Sequence, residues 1–201
     1  MFEDGSKITF KTSKVKNFIF EDHFWVTFSL FLTQLIVVLT WVFAKYHIRE
    51  IIAGFPYILL GSIIWTMLEY YFHRFLLHTS GPLPDFTLGA HLIHHSFPNL
   101  KKKVALSYFL MSIRLFPIVY LLRFVSSDLP IALGLIGFTL AVISYDGIHY
   151  YCHFGPETSI GWLKNLRIHH LKHHYRNQNV NFGVTNTFWD KIFGTFDGRV
   201  K

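Results

Sequence analysis

Cysteine is nearly missing from this chain. Cys152 is the single one among 201 residues, so no disulfide framework can form within the chain and thiolate chemistry is almost unavailable. With apolar and aromatic neighbours, Cys152 reads as a small packing residue. The chain also lacks an internal repeat at solenoid periods, a low-complexity tract and a heptad seam, which excludes solenoid, disordered and coiled-coil architectures. A cleavable signal peptide is not expected either. Met1 to Asp22 mixes acidic and basic residues, and the apolar run that follows is too long for a signal core.

Charge is scarce where the chain is most apolar. Half of the residues are hydrophobic, 51%, and the mean hydropathy is positive, a balance that places the chain in the membrane class. The formal net charge of +7 does not argue for nucleic acid, because the lysines and arginines sit between hydrophobic spans rather than on one soluble face. Anionic lipid headgroups are the better partner.

Four apolar stretches stand out. Phe24 to Ala44 carries no charge and reaches the roughly 20 residues needed to cross a ~30 Å hydrocarbon core. Ile51 to Phe72 is the second, interrupted by Gly54 and Pro56 and carrying Glu69, which should face protein or metal rather than lipid. Val104 to Val125 is the third, with Arg114 and Pro117 predicting a kink or tilt. Leu129 to Tyr151 is the fourth, and its Gly134 and Gly137 permit close helix approach. Basic residues fall on one side of these spans: Lys7, Lys11, Lys14 and Lys16 before the first, Arg74 and Lys101 to Lys103 between the second and third, and the segment after the fourth. Lys45 and Arg49 are the exceptions. By the positive-inside rule both termini are cytoplasmic, in an inner membrane or an endoplasmic reticulum. The expected fold is therefore a single all-α integral membrane domain with about four transmembrane helices under a cytosolic, histidine-rich helical cap. Residues 1–23 form a polar lead-in, 24–151 hold the spans with a cap insertion at 73–103, and 152–201 complete the cap. Gly81, Pro82, Pro84 and Asp85 predict a turn within the insertion, and Gly155 and Pro156 end the fourth span.

Histidine is abundant, with 13 residues, and most of it is patterned. His73 and His78 follow the second span. His91, His94 and His95 stand at offsets of three and four, as do His170, His173 and His174, and His149 and His153 are four apart; such offsets place rings on one helical face. A lone histidine at a membrane boundary is ordinarily an amphipathic surface residue, and His23 and His47 are left with that role. Ten imidazoles in four groups on one side of the membrane exceed the four ligands of a closed zinc site, whereas two metal ions with open positions can use them all. His169, also four residues from His173, competes with His170 on spacing alone.

The order HX4H, HX2HH, HX3H, HX2HH, the stretches EYYFHRFLLH and HHYRN, and the ending NFGVTNTFWDKIFGTF resemble the fatty acid hydroxylase superfamily, especially the fatty acid 2-hydroxylases, over Ile51 to Phe196. The resemblance implies four transmembrane helices, a cytosolic cap and a dimetal centre. Its ligands would be His73, His78, His91, His94, His95, His149, His153, His170, His173 and His174, which leaves His169 to a supporting or interfacial role. It also implies two iron ions as cofactors, O2 as co-substrate, and hydroxylation of a fatty acyl lipid beside its carbonyl. Zinc fits the same ligands without redox activity. Many eukaryotic members begin with a cytochrome b5-like domain, so electrons are expected here from a separate donor such as cytochrome b5 or ferredoxin. Asp146, within a turn of His149, and Glu69, one turn before His73, are candidates to orient ligands by accepting a ring proton. Lys101 to Lys103 form a candidate docking patch for an acidic donor or a lipid headgroup. Rival readings are a sterol or carotenoid oxidase, a desaturase, or a zinc transporter or sensor, although transport sites belong midway along the spans.

Overall fold

The computed structural model describes residues 24–78, 85–99 and 108–198. Several expectations therefore lie outside the described residues: the lead-in lysines and His23, the turn at Gly81, Pro82 and Pro84, Lys101 to Lys103, and the start of the third span. Among the described residues the chain is all helix, with no strand.

Helix α1 spans Phe24–Lys45, α2 Ile48–Ala53 and α3 Phe55–Tyr71. Gly54 and Pro56 account for the break between α2 and α3. Gly54 caps α2 through its N–H on the Glu50 carbonyl, and Pro56 sits in the first turn of α3, where its missing N–H removes no helical bond. Without interruption α3 passes into a π-helical turn, Phe72–Leu76, closed by the Leu77 N–H on the Phe72 carbonyl at 3.0 Å. After it come α4 (Asp85–Ser96), α5 (Tyr108–Leu122, containing Pro117), α6 (Asp128–Phe154), α7 (Gly161–Tyr175) and α8 (Phe188–Ile192). Asp85 thus lies in a helix rather than in the turn.

Two described helices, α1 and α6, are long and apolar enough to cross a membrane by length and composition. The expected second span is divided between α2 and α3, and the described part of the third holds α5. Large apolar side chains such as Trp25, Val37, Phe43, Ile63, Ile113 and Phe116 are exposed along α1, α3 and α5. In a water-soluble fold such a surface would be an aggregation hazard; against acyl chains it is matched.

The central pairing is α3 against α6. Glycines set its spacing. A Cβ on Gly61 would stand 1.9 Å from the Gly134 carbonyl oxygen, and one on Gly137 would stand 1.9 Å from that of Ile58. In hydrocarbon, such small-residue contacts let backbones approach and gain dispersion energy. Ser62 adds a hydrogen bond from its hydroxyl to the Gly137 carbonyl at 2.9 Å. Helix α1 lies against α6 through Leu35 and Val42, which pack with Leu133 and Ile136, and through Gln34, whose amide donates to Thr139 Oγ1 at 3.1 Å. At the end remote from the histidines, Asp128 joins Lys45 at 3.0 Å and Arg123 at 3.3 Å, so one carboxylate ties the ends of α1, α5 and α6.

Toward the other end, Trp65 is 1% exposed and packs edge-on against Phe138 and Tyr145, with ring centroids at 5.3 and 5.6 Å. Val184, from the segment after α7, joins this cluster, which docks that segment into the helical core. Between α3, α5 and α6 lies an apolar cavity of about 330 Å³, lined in part by Leu60, Ile64, Leu68, Leu115, Leu135 and Phe138.

Candidate metal centre

Histidines leave four structural elements and meet in two groups. The first is His73, His78, His91, His95 and His173; the second is His94, His149, His153, His170 and His174. Within each group the candidate ligand atoms lie within 4.8 Å of one another. Each HX2HH motif is split: the pair four apart, His91 with His95 and His170 with His174, shares a group, and His94 or His173 turns to the other. His73 and His78 would be roughly 140° apart on a regular α-helix. The π-helical turn and the residues after it bring their rings to 5.0 Å between centroids, and such turns recur at functional sites.

Nitrogen spacings suit a shared ion. In the first group, Nε2 of His78 is 2.9 Å from that of His91 and 3.0 Å from that of His173, which is 3.2 Å from that of His95. In the second, His149 and His94 approach to 3.1 Å, and His153 and His170 to 3.0 Å. An ion about 2.0–2.1 Å from two imidazole nitrogens at a right angle holds them ~3 Å apart. Nε2 of His73 is buried and meets no hydrogen-bond partner among the described residues, as expected of a lone pair directed at an ion. The groups adjoin, since His95 stacks on His174 at 4.1 Å.

Burial favours the neutral form of these rings, the state that binds metal. Burial, reinforced by neighbouring imidazoles, pushes His94 and His95 down to about 3 and His173 to about 2, and burial alone brings His78 to about 4. For the same reason His91, His170 and His174 fall well below the ordinary 6.5. Below pH 6.5 the unfolded chain therefore binds protons that the folded chain refuses, and acid favours unfolding. Metal-free protein in detergent is expected to lose thermal stability steadily from pH 6.5 down to about 4, with saturating zinc delaying the loss. A melting temperature level across that range would contradict the buried, neutral arrangement.

The supporting candidates divide. His169 stays outside both groups; its Nε2 is 3.0 Å from Asp190 Oδ2 and its ring stacks on Phe196. Asp146 is buried on α6, one turn before His149. Glu69 is buried too, but its oxygens accept hydrogen bonds from the N–H groups of Val184 and Thr185, at 2.5 and 2.9 Å, and from the Thr185 hydroxyl at 2.5 Å. It holds a backbone segment rather than a ring.

That segment contains the residues the sequence analysis missed. The Phe182 carbonyl accepts from His73 Nδ1 at 2.5 Å and the Val180 carbonyl from His173 Nδ1 at 2.8 Å. Asp190 accepts from the N–H groups of Phe182 and Gly183, both at 2.8 Å, and from the Thr195 hydroxyl at 2.8 Å. Asn181, in the left-handed region at φ 61°, bridges the chain through the Asp197 N–H at 2.7 Å and the His169 carbonyl at 3.3 Å. A usable signal was Asp190, the one acidic residue in the stretch 181–196.

A fatty acid hydroxylase family model matches residues 58–195. The chain is 33% identical over 150 residues to the fatty acid 2-hydroxylase of Rattus norvegicus, covering 68% of this chain and 38% of that protein. It is 32% identical over 147 residues to the ceramide very long chain fatty acid hydroxylase of Saccharomyces cerevisiae, covering 69% and 37%. Against the dihydroceramide fatty acyl 2-hydroxylase of Arabidopsis thaliana it is 33% identical over 141 residues, covering 69% and 59%. The chain thus spans less than two thirds of the length of these relatives. A solved structure described as full-length Scs7p, with only its hydroxylase domain visible, superposes with a TM-score of 0.78 at 25% identity, over 92% of this chain and 70% of that one.

Proposed function

The chain belongs to the fatty acid hydroxylase family, and we propose that it is a membrane monooxygenase that converts an acyl C–H bond beside the carbonyl into C–OH. One atom of O2 enters the lipid and the other leaves as water, with two electrons supplied by a separate donor protein and two protons from solvent. The observation that carries this reading is the pair of five-histidine groups, each able to hold a metal ion.

Two iron ions suit these imidazole sets and supply the oxygen-activating redox chemistry when bound. The ten clustered histidines serve as ligands. His73 and His173 present Nε2 because their Nδ1 protons are held by backbone carbonyls. Six of the ten rings, His73, His94, His149, His170, His173 and His174, are buried, which limits the access of water competing with the acyl carbon. Leu68, at one end of the apolar cavity, stands roughly 7.5 Å of helix rise before His73, so an acyl tail directed along α3 enters an apolar space with its carbonyl end nearer the metals. On this reading four spans cross the membrane, both termini are cytoplasmic, and the cap faces the electron donor. The histidines cluster at helix ends rather than midway along them, which disfavours metal transport.

Lipid mass spectrometry tests the proposal. Cells that supply iron and an electron donor and express the full chain should accumulate 2-hydroxy acyl lipids absent from vector controls. The lipid class that carries them identifies the carrier of the acyl group. A new double bond or a hydroxylated sterol would redirect the assignment within the superfamily, and no oxidised lipid at all would refute it.

A further inference from the structure

The two histidine groups are held by different means. In the first, His73 and His173 each direct Nδ1 at a backbone carbonyl. A carbonyl only accepts, so the ring proton is fixed on Nδ1 and the lone pair on Nε2. In the second, Nδ1 of His94, His170 and His174 is buried and meets no hydrogen-bond partner among the described residues. His95 of the first group shares that condition, so the contrast rests on His73 and His173.

Both fixing carbonyls belong to the segment 180–185, and two buried carboxylates from different helices hold it. Glu69, on α3, takes the N–H groups of Val184 and Thr185; Asp190, on α8, takes those of Phe182 and Gly183. Asp190 is 0% exposed and also engages His169 and Thr195, so its position is set by α7 and the chain's end. Losing an outer partner of a ligating histidine typically costs about 10–100-fold in metal affinity.

We propose that Glu69 and Asp190 are positioning residues for the first metal alone, acting through segment 180–185, and that the first group binds its ion more tightly and fills first. The proposal rests on the metal-binding reading above.

Zinc titration of the purified full chain, stripped of metal and set against a chromophoric chelator, reads this without any activity. Wild-type protein should show a tight and a weak phase. Asp190→Asn places an amide donor against one of the N–H groups of Phe182 and Gly183, and Glu69→Leu leaves those of Val184 and Thr185, which share one carboxylate oxygen, without their acceptor. Each should weaken the tight phase by about 10–100-fold and leave the weak phase where it was. His170→Ala should remove the weak phase and leave the tight one. Helices α4 and α7 feed both groups, so an unchanged weak phase itself reports a folded cap. Should a carboxylate variant fail to fold, Thr185→Val, which removes the hydroxyl that donates to Glu69 and accepts from the Asn186 amide, decides the matter through a smaller shift of the tight phase alone. Two equal phases in wild-type protein, equal weakening of both phases in the variants, or a tight phase that no variant moves would overturn the proposal while leaving metal binding intact. A chain that takes up no zinc would overturn the metal reading itself, and the proposal with it.

Discussion

Alanine in place of His173 or His174 should each reduce acyl-lipid hydroxylation by more than ~100-fold, since removing a ligand exceeds the cost of removing a ligand's outer partner. The two residues are adjacent in sequence but belong to different groups. Each single variant should therefore lose a different ion, while the double variant loses both. Their rings meet at 89° with centroids 5.7 Å apart, so α7 directs them to separate ions without distortion. Metal analysis of purified variants beside lipid mass spectrometry at matched membrane abundance makes the comparison. Near-normal product from a variant shown to lack one ion would refute a chemistry that requires both.

Gly137→Ala should cause a loss of nearly the same size by another route. The added Cβ would stand 1.9 Å from the Ile58 carbonyl oxygen, and that neighbour is helical backbone that no rotamer change can move aside. Overpacking a well-filled interior costs about 1–3 kcal/mol, and forcing two backbones apart lies at the upper end or beyond. The α3–α6 pairing then opens. Helix α3 leads into His73 and α6 carries His149 and His153, so both histidine groups are pulled apart from below. Several-fold less monodisperse protein in detergent and background activity are expected. Gly147→Ala on the same helix meets nothing within 4 Å and should behave as wild type or slightly better, by the helix preference for alanine. Equal behaviour of the two variants would show that the close approach at Gly137 is not what holds the pair.

The fourth apolar run and the end of the first were legible almost to the residue. Phe24 to Ala44 became a helix that ends at Lys45, because a charge closes an uncharged run. Leu129 to Tyr151 became Asp128–Phe154, extended by the turn that carries His153. The clustering of the histidines was legible from offsets of three and four, since these report a shared helical face. Their division was not. Which of His91, His94 and His95 meets which ion depends on where α4 lies relative to α6 and α7, and spacing within one helix carries no information about its neighbours. His73 and His78 were read as a pair only by proximity in the chain, because a spacing of five is out of phase on an α-helix and the π-helical turn left no sequence mark. Glu69 was selected correctly as a buried carboxylate, yet its partners lie more than a hundred positions away, at Val184 and Thr185. The supporting role of segment 180–190 escaped for the same reason. Its contribution comes chiefly from main-chain carbonyls, which every residue possesses.

The placement of those carbonyls gives synthesis an order. A ribosome working from the N-terminus has already made all ten clustered histidines when it reaches His174, and the second group then has every side chain it will use. The first group is still waiting. Val180 and Phe182 must emerge before the rings of His73 and His173 are locked, and Asp190 must emerge before that segment is clamped. A message cut short after Asn179 would thus encode every clustered histidine and still deliver an unfinished site.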